Sequence, residues 1–86
     1  MKSVKYLTEL LELPAEITLN LPLVTIIGNT DLQIENYKGI IEYASDTIRI
    51  ATTGGVLRII GEKLLLRELT AQTIRIGGNI SGFEYV

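Results

Sequence analysis

The sequence predicts a mainly β domain: a short N-terminal helix followed by about eight short strands in an antiparallel meander, folded as a sandwich or an open barrel. Three observations point there. From Ile17 onward, β-branched runs (ITLNL, LVTII, LQIE, IIEY, TIRIA, VLRII, LLLREL, TIRI and a tail FEYV) recur at intervals of about nine residues, separated by Gly, Asn, Asp and Thr. The connections between these runs are far shorter than the dozen or more residues a parallel crossover needs, so the strands pair antiparallel. The 86 residues are 47% hydrophobic and 21% charged, a globular rather than a disordered composition, and short enough for one domain. The whole chain, 1–86, reads as a single domain, with helix and linker over 1–14 and the β part over 15–86.

The helix is expected in SVKYLTELLEL, where Val4, Leu7 and Leu11 fall at i, i+3 and i+7 with Leu10 beside them. Ser3 is a candidate N-cap and Pro14 a stop. The polar side of this stripe carries more acid than base, so docking onto a sheet suits it better than a membrane surface. In the strand region, TIRI occurs identically at 47–50 and 73–76, which keeps a short β-solenoid open as the alternative architecture.

Residues 34–43, IENYKGIIEY, pose the question of a reactive site against a turn. Asn36 first and Gly39 fourth in Asn36-Tyr37-Lys38-Gly39 match a type I turn. A hairpin closed there places Ile34 opposite Ile41 and Leu32 opposite Tyr43 on one face, with Gln33 and Glu42 on the other. Glu35 and Glu42 have no candidate nucleophile nearby in sequence, so solvated strand-face acids are expected rather than a catalytic pair.

Composition narrows the chemistry further. With no cysteine there is no disulfide, thiolate metal site or Cys nucleophile, and with no histidine the commonest general base and metal ligand is missing. No enzyme activity, metal or cofactor is expected. Glu9 and Glu12 interrupt the N-terminal segment as a signal peptide, and no apolar run approaches the ~20 residues that span a bilayer, so a cytoplasmic protein is expected, with peripheral membrane attachment left open. Gly77-Gly78-Asn79-Ile80-Ser81-Gly82 lacks the Lys-Ser/Thr of a phosphate loop and reads as a turn or bulge. A pI near 5.0 and five aromatic residues argue against nucleic acid as a partner.

LPLVTIIGN at 21–29, LQIENYKGIIEY at 32–43, TIRIATTGGVLRIIGEKLLLREL and TIRIGGNI together resemble the YabP/YqfC family of sporulation proteins. The motifs that carry this are the Pro-x-x-x-x-x-Gly-Asn segment from Pro22 to Asn29 and the Ile-Glu-Asn-x-Lys-Gly-Ile segment from Ile34 to Ile40. The leading helix and LPAEITLNLP are closer to the YqfC branch. Family members often carry His where this chain has Tyr37, so no metal or proton-transfer role attaches to that position here. The family-motif turn is accordingly Glu35, Asn36, Tyr37, Lys38 and Gly39. The resemblance implies a role in endospore formation in a Firmicute, in the mother cell and in assembly of the spore coat or envelope. It implies no known enzymatic activity, and it suggests a membrane-anchored sporulation protein of the YqfD type as a partner.

Two patterns add expectations of their own. All four arginines, Arg49, Arg58, Arg67 and Arg75, recur at gaps of nine, nine and eight residues, which in a meander of consecutive strands lines cations across one sheet face as a candidate interaction face. Residues 1–46 carry seven acids and three lysines, net −4, and residues 47–86 carry three acids and five bases, net +2. This asymmetry suits self-association or docking to an acidic partner, while the plainer reading is a wet sheet face. Alternation also fails in VLRII and LLLREL, where Val56 and Ile60 share a face with Arg58 and Leu65 and Leu69 share one with Arg67, so either bulges realign these strands or both faces are covered, by a partner or second protomer or equally by an ordinary two-layer core with the helix on one side. Two classes follow: a self-associating scaffold or adaptor of the developing spore, or a module binding a small ligand or an envelope polymer.

Overall fold

A computed structural model describes residues 20–86 of the chain, which form one antiparallel sheet of six strands with no helix among the described residues. The strands are β1 (Leu23–Ile27), β2 (Asp31–Glu35), β3 (Tyr37–Tyr43), β4 (Thr47–Thr52), β5 (Gly55–Leu69) and β6 (Thr73–Tyr85), ordered β1-β2-β6-β5-β4-β3. All the pairings are antiparallel, which sets the solenoid aside. The helix expected over 1–14 and most of the ITLNL run lie outside the described residues.

Six strands replace the expected eight because two pairs of runs fuse. VLRII and LLLREL are both parts of β5, and TIRI and FEYV are both parts of β6. Gly61-Glu62-Lys63 has the composition of a turn, but here it is a bend within a continuous strand. The β5–β6 register slips between Ile60 and Gly61 and again between Glu62 and Leu65, with Lys63 at φ 54° opposite a bend at Gly78, φ 130°. Neighbouring hairpin loops hold both bends. Gly61 and Leu64 donate backbone N–H groups to the carbonyls of Asp46 and Ser45, and Gly78 and Ile80 donate to those of Thr30 and Asn29.

The bends fold the sheet over itself into two layers. The first consists of β1, β2, the start of β6 and the end of β5; the second consists of β3, β4, the start of β5 and the end of β6. A single flat sheet cannot bury one of its own faces. Leu32 and Ile34 of β2, Ile74 and Ile76 of β6, Ile48 and Ile50 of β4, and Leu57 and Ile59 of β5 are nevertheless all fully buried in one cluster. Only packing of one layer on the other accounts for that. The two TIRI segments do the same work in opposite layers, turning two isoleucines inward and the threonine and arginine away from the core.

The expected hairpin at Asn36–Gly39 does not form. Ile34 pairs with Val24 and Ile74, whereas Tyr43 pairs with Ile48, so β2 and β3 lie in different layers and are not neighbours in the sheet. Asn36 alone makes the passage, at φ 65°, a left-handed conformation that asparagine tolerates better than most residues. Its N–H donates to the Gln72 carbonyl at 2.8 Å and its Nδ2 to the Leu21 carbonyl at 3.0 Å. Tyr37, Lys38 and Gly39 already belong to β3, where Lys38 and Ile41 are the extra residues of two register shifts. The local turn chemistry was real, but pairing of Ile34 with Ile74 on a fully buried face outweighs a two-strand hairpin.

Candidate functional site

The two outer faces and the edges of the sandwich carry every residue with interaction chemistry among those described. The four arginines do not form one line. The bend of β5 between Ile60 and Leu65 separates them into two pairs, Arg49 and Arg58 on the second layer and Arg67 and Arg75 on the first. On the second layer a row of register partners crosses four strands, from Glu42 through Arg49 and Arg58 to Glu84. Arg49 Nε donates to Glu42 Oε1 and Arg58 Nη2 to Glu84 Oε2, both at 2.8 Å, so each cation in the row has an acid at its flank. These pairs are roughly two-fifths exposed, and pairs of that kind contribute about 0–1 kcal/mol. This half of the expected cationic face is a neutralised, solvated surface.

The first layer differs. Arg67 Nε lies 3.2 Å from Asp31 Oδ1, its guanidinium resting over Gly77, where any side chain would displace it. Arg75 has Gln33 and Glu68 as register partners and makes no ion pair among the described residues. Together Thr25, Ile27, Asp31, Gln33, Arg67 and Arg75 line an open groove of about 430 Å³. Ile27, 66% exposed, forms part of its wall, and Leu65, opposite Gly77, stands exposed on the same layer. A guanidinium without an acid partner next to uncovered apolar side chains suits a partner that brings a carboxylate or another anion and an apolar contact.

Sequence reasoning found the arginines of this groove and missed Thr25, Ile27, Asp31 and Gln33. LVTII was legible as a strand, but its place beside Arg75 depends on β2 joining β6, a pairing between residues about forty apart. The family-motif residues sit elsewhere. Asn36 forms the corner between layers, and Tyr37 Oη donates to the Thr70 carbonyl at 2.5 Å. Tyr43 Oη accepts the Leu66 N–H at 3.2 Å. The two tyrosines of β3 thereby tie it to the end of β5, closing one side of the sandwich. Glu35 and Glu42 lie on different strands that are not neighbours, and Glu42 is engaged by Arg49. No cluster of three or more acidic or other ligand-type residues that could hold a metal occurs among the described residues.

Comparison with known proteins gives the chain its place. The YabP family model matches residues 20–86, the whole of the described β domain. The chain belongs to the YabP family. It is also similar to the uncharacterized protein YqfC of Bacillus subtilis (strain 168), 27% identical over 81 residues, which cover 94% of this chain and 87% of that one. In this YabP-family chain the Pro22–Asn29 motif is β1 with its following turn, and the Ile34–Ile40 motif is the corner between the layers. Both family signatures therefore specify fold positions, one of them bordering the Arg75 groove.

Proposed function

We propose that this YabP-family chain is a non-enzymatic, sporulation-related protein that works as a self-associating scaffold or adaptor in assembly of the spore coat or envelope. Family membership supports the sporulation role. The observation behind the scaffold role is the outer face of the first layer, where exposed Ile27 lines a groove with Arg75, which makes no ion pair among the described residues, and Leu65 stands exposed on the same layer. Large apolar side chains clustered with such a cation mark contact surfaces more often than solvent-facing ones. On this reading the chain acts in the mother cell, in the cytoplasm or peripherally at the forespore membrane or coat, with further copies of itself and a membrane-anchored partner of the YqfD type. No nucleic acid is involved. Among the described residues no helix is long and apolar enough to cross a membrane.

The direct test is sedimentation of the full chain beside Ile27→Glu and Arg75→Glu. Both sites are exposed, so the fold should persist. The wild-type chain is expected to self-associate and each variant to do so at least about tenfold more weakly. A wild-type chain that stays monomeric at ~100 µM, a concentration at which even weak specific interfaces assemble, would remove the self-association. If Arg75 contributes through charge, assembly should also weaken between low salt and ~0.5 M, where the Debye length is well under 10 Å.

For the adaptor role, a fluorescent fusion followed through sporulation should form a ring around the forespore that is lost when the membrane-anchored partner is deleted. Diffuse signal in both strains would exclude recruitment. The same groove favours a second reading, a module for a small anionic ligand or an envelope polymer. A saturable, stoichiometric heat of binding by a monomeric chain would select it.

A further inference from the structure

The sandwich is closed on one side and open on the other. Tyr37 and Tyr43 join β3 to the end of β5 on the closed side. On the open side, β1 of the first layer and the end of β6 of the second form two lips. Register shows which way their side chains point. Val24 and Ile26 pair with Ile34 and Leu32, and Tyr85 and Phe83 pair with Leu57 and Ile59. Those four partners are fully buried, and cross-strand partners share a face, so all four lip residues point into the sandwich. Inward-facing residues of a finished core should be buried, yet Ile26 is 40%, Phe83 45% and Tyr85 51% exposed. Between the lips, Ile26, Ile80 and Phe83 border a cavity of about 260 Å³, room for several waters against apolar walls.

We propose that the N-terminal segment of the same chain, residues 3–13, docks as an amphipathic helix between β1 and the end of β6 and completes the core. Three observations select this occupant. Its apolar stripe of Val4, Leu7, Leu10 and Leu11 supplies the apolar side chains that the cleft lacks. The chain enters the described fold beside one end of the cleft. The carbonyls of Asn20 and Leu21 accept hydrogen bonds from Thr53 Oγ1 and Asn36 Nδ2, and Gly55, two residues on from Thr53, lies against Tyr85. Lengths also agree: eleven helical residues span about 16 Å, and the five residues of β1 span about 17 Å. Residues 14–19 give about 20 Å of reach, enough to lay the helix back along the lip. Outward-facing Ile27 and the Arg75 groove stay free, so docking leaves the proposed contact face intact.

The chain has no cysteine, so a single introduced one reports cleanly. A spin label on Ser81→Cys, at the cleft, should broaden NMR signals of residues 4–11, and a label on Arg49→Cys, on the outer face of the second layer, should not. In the otherwise unaltered full chain, Leu7→Asp with Leu11→Asp should speed amide exchange in β1 and the end of β6 by about tenfold or more, leaving Ile48 and Ile50 protected. Absence of broadening from the cleft label, with unchanged exchange in the double variant, overturns the proposal. Broadening seen only between differently labelled copies assigns the cleft to a second molecule's segment and overturns it as well.

Discussion

Replacing Gly78 by alanine is expected to cost the domain roughly 2–5 kcal/mol, through a strained backbone and a close approach acting together. Gly78 sits at φ 130°, a region that side chains rarely enter, and a Cβ there would lie 2.5 Å from the Lys63 carbonyl oxygen. Neither contact is with a flexible side-chain end. The opposing atom is backbone of β5 at its own bend, where Lys63 is held at φ 54°. Relief therefore requires moving the crease about which the two layers fold. For a domain of this size about 1 kcal/mol lowers the melting temperature by 4–8 °C, so a fall of roughly 10 °C or more is expected in a thermal scan. Gly39→Ala is the control: no heavy atom lies within 4 Å of the Cβ it would add. Equal melting temperatures for the two variants would show that the layers do not turn at Gly78.

The second large effect is expected at Ile76→Ala. Ile76 is fully buried, paired with Leu32 on one side and Leu66 on the other. Truncating such a residue removes its transfer energy and leaves a cavity, at a typical cost of 2–5 kcal/mol. Domains of this length have total stabilities of roughly 5 kcal/mol, so the variant should keep at most about 3 kcal/mol and unfold at a much lower urea concentration. Ile41→Ala, at a 48% exposed bulge position of β3, should change stability by less than about 0.5 kcal/mol. Urea titration of both variants checks the contrast. Similar midpoints would mean that the buried cluster is not the structural core.

These contrasts show what could be read from the chain and what could not. Alternation is a local signal, and TIRI at 47–50 and 73–76 gave away two strands with both isoleucines inward. It also let LVTII and LQIE be placed within a residue of their observed bounds. The failed alternation in VLRII and LLLREL left bulges or covered faces open; β5 has a register shift within LLLREL, between Leu66 and Glu68, and none within VLRII. Gly61-Glu62-Lys63 misled because a bend in a continuous strand draws on the same residues as a turn between two. The Asn36 corner misled because local preference for a turn says nothing of which strand waits on the far side. Of the candidate site, the arginines were legible and their separation was not. Which cation lacks an acid depends on the β2–β6 and β5–β6 registers, and those are set by pairings remote in sequence.

The position of β6 bears on how the protein can come into being. The last strand of the chain is an interior strand of the sheet, hydrogen-bonded to β2 at its start and to β5 along its length. The β1–β2 hairpin and the β3–β4–β5 meander pair without β6, but β2 and β5 are joined only through it. Joining the two sets of strands thus waits on long loop closure, with the edges of β2 and β5 exposed until β6 docks. Loss of residues 79–85 would strip the second layer of the β6 stretch that pairs with Leu57 to Glu62, leaving that part of β5 as an open edge.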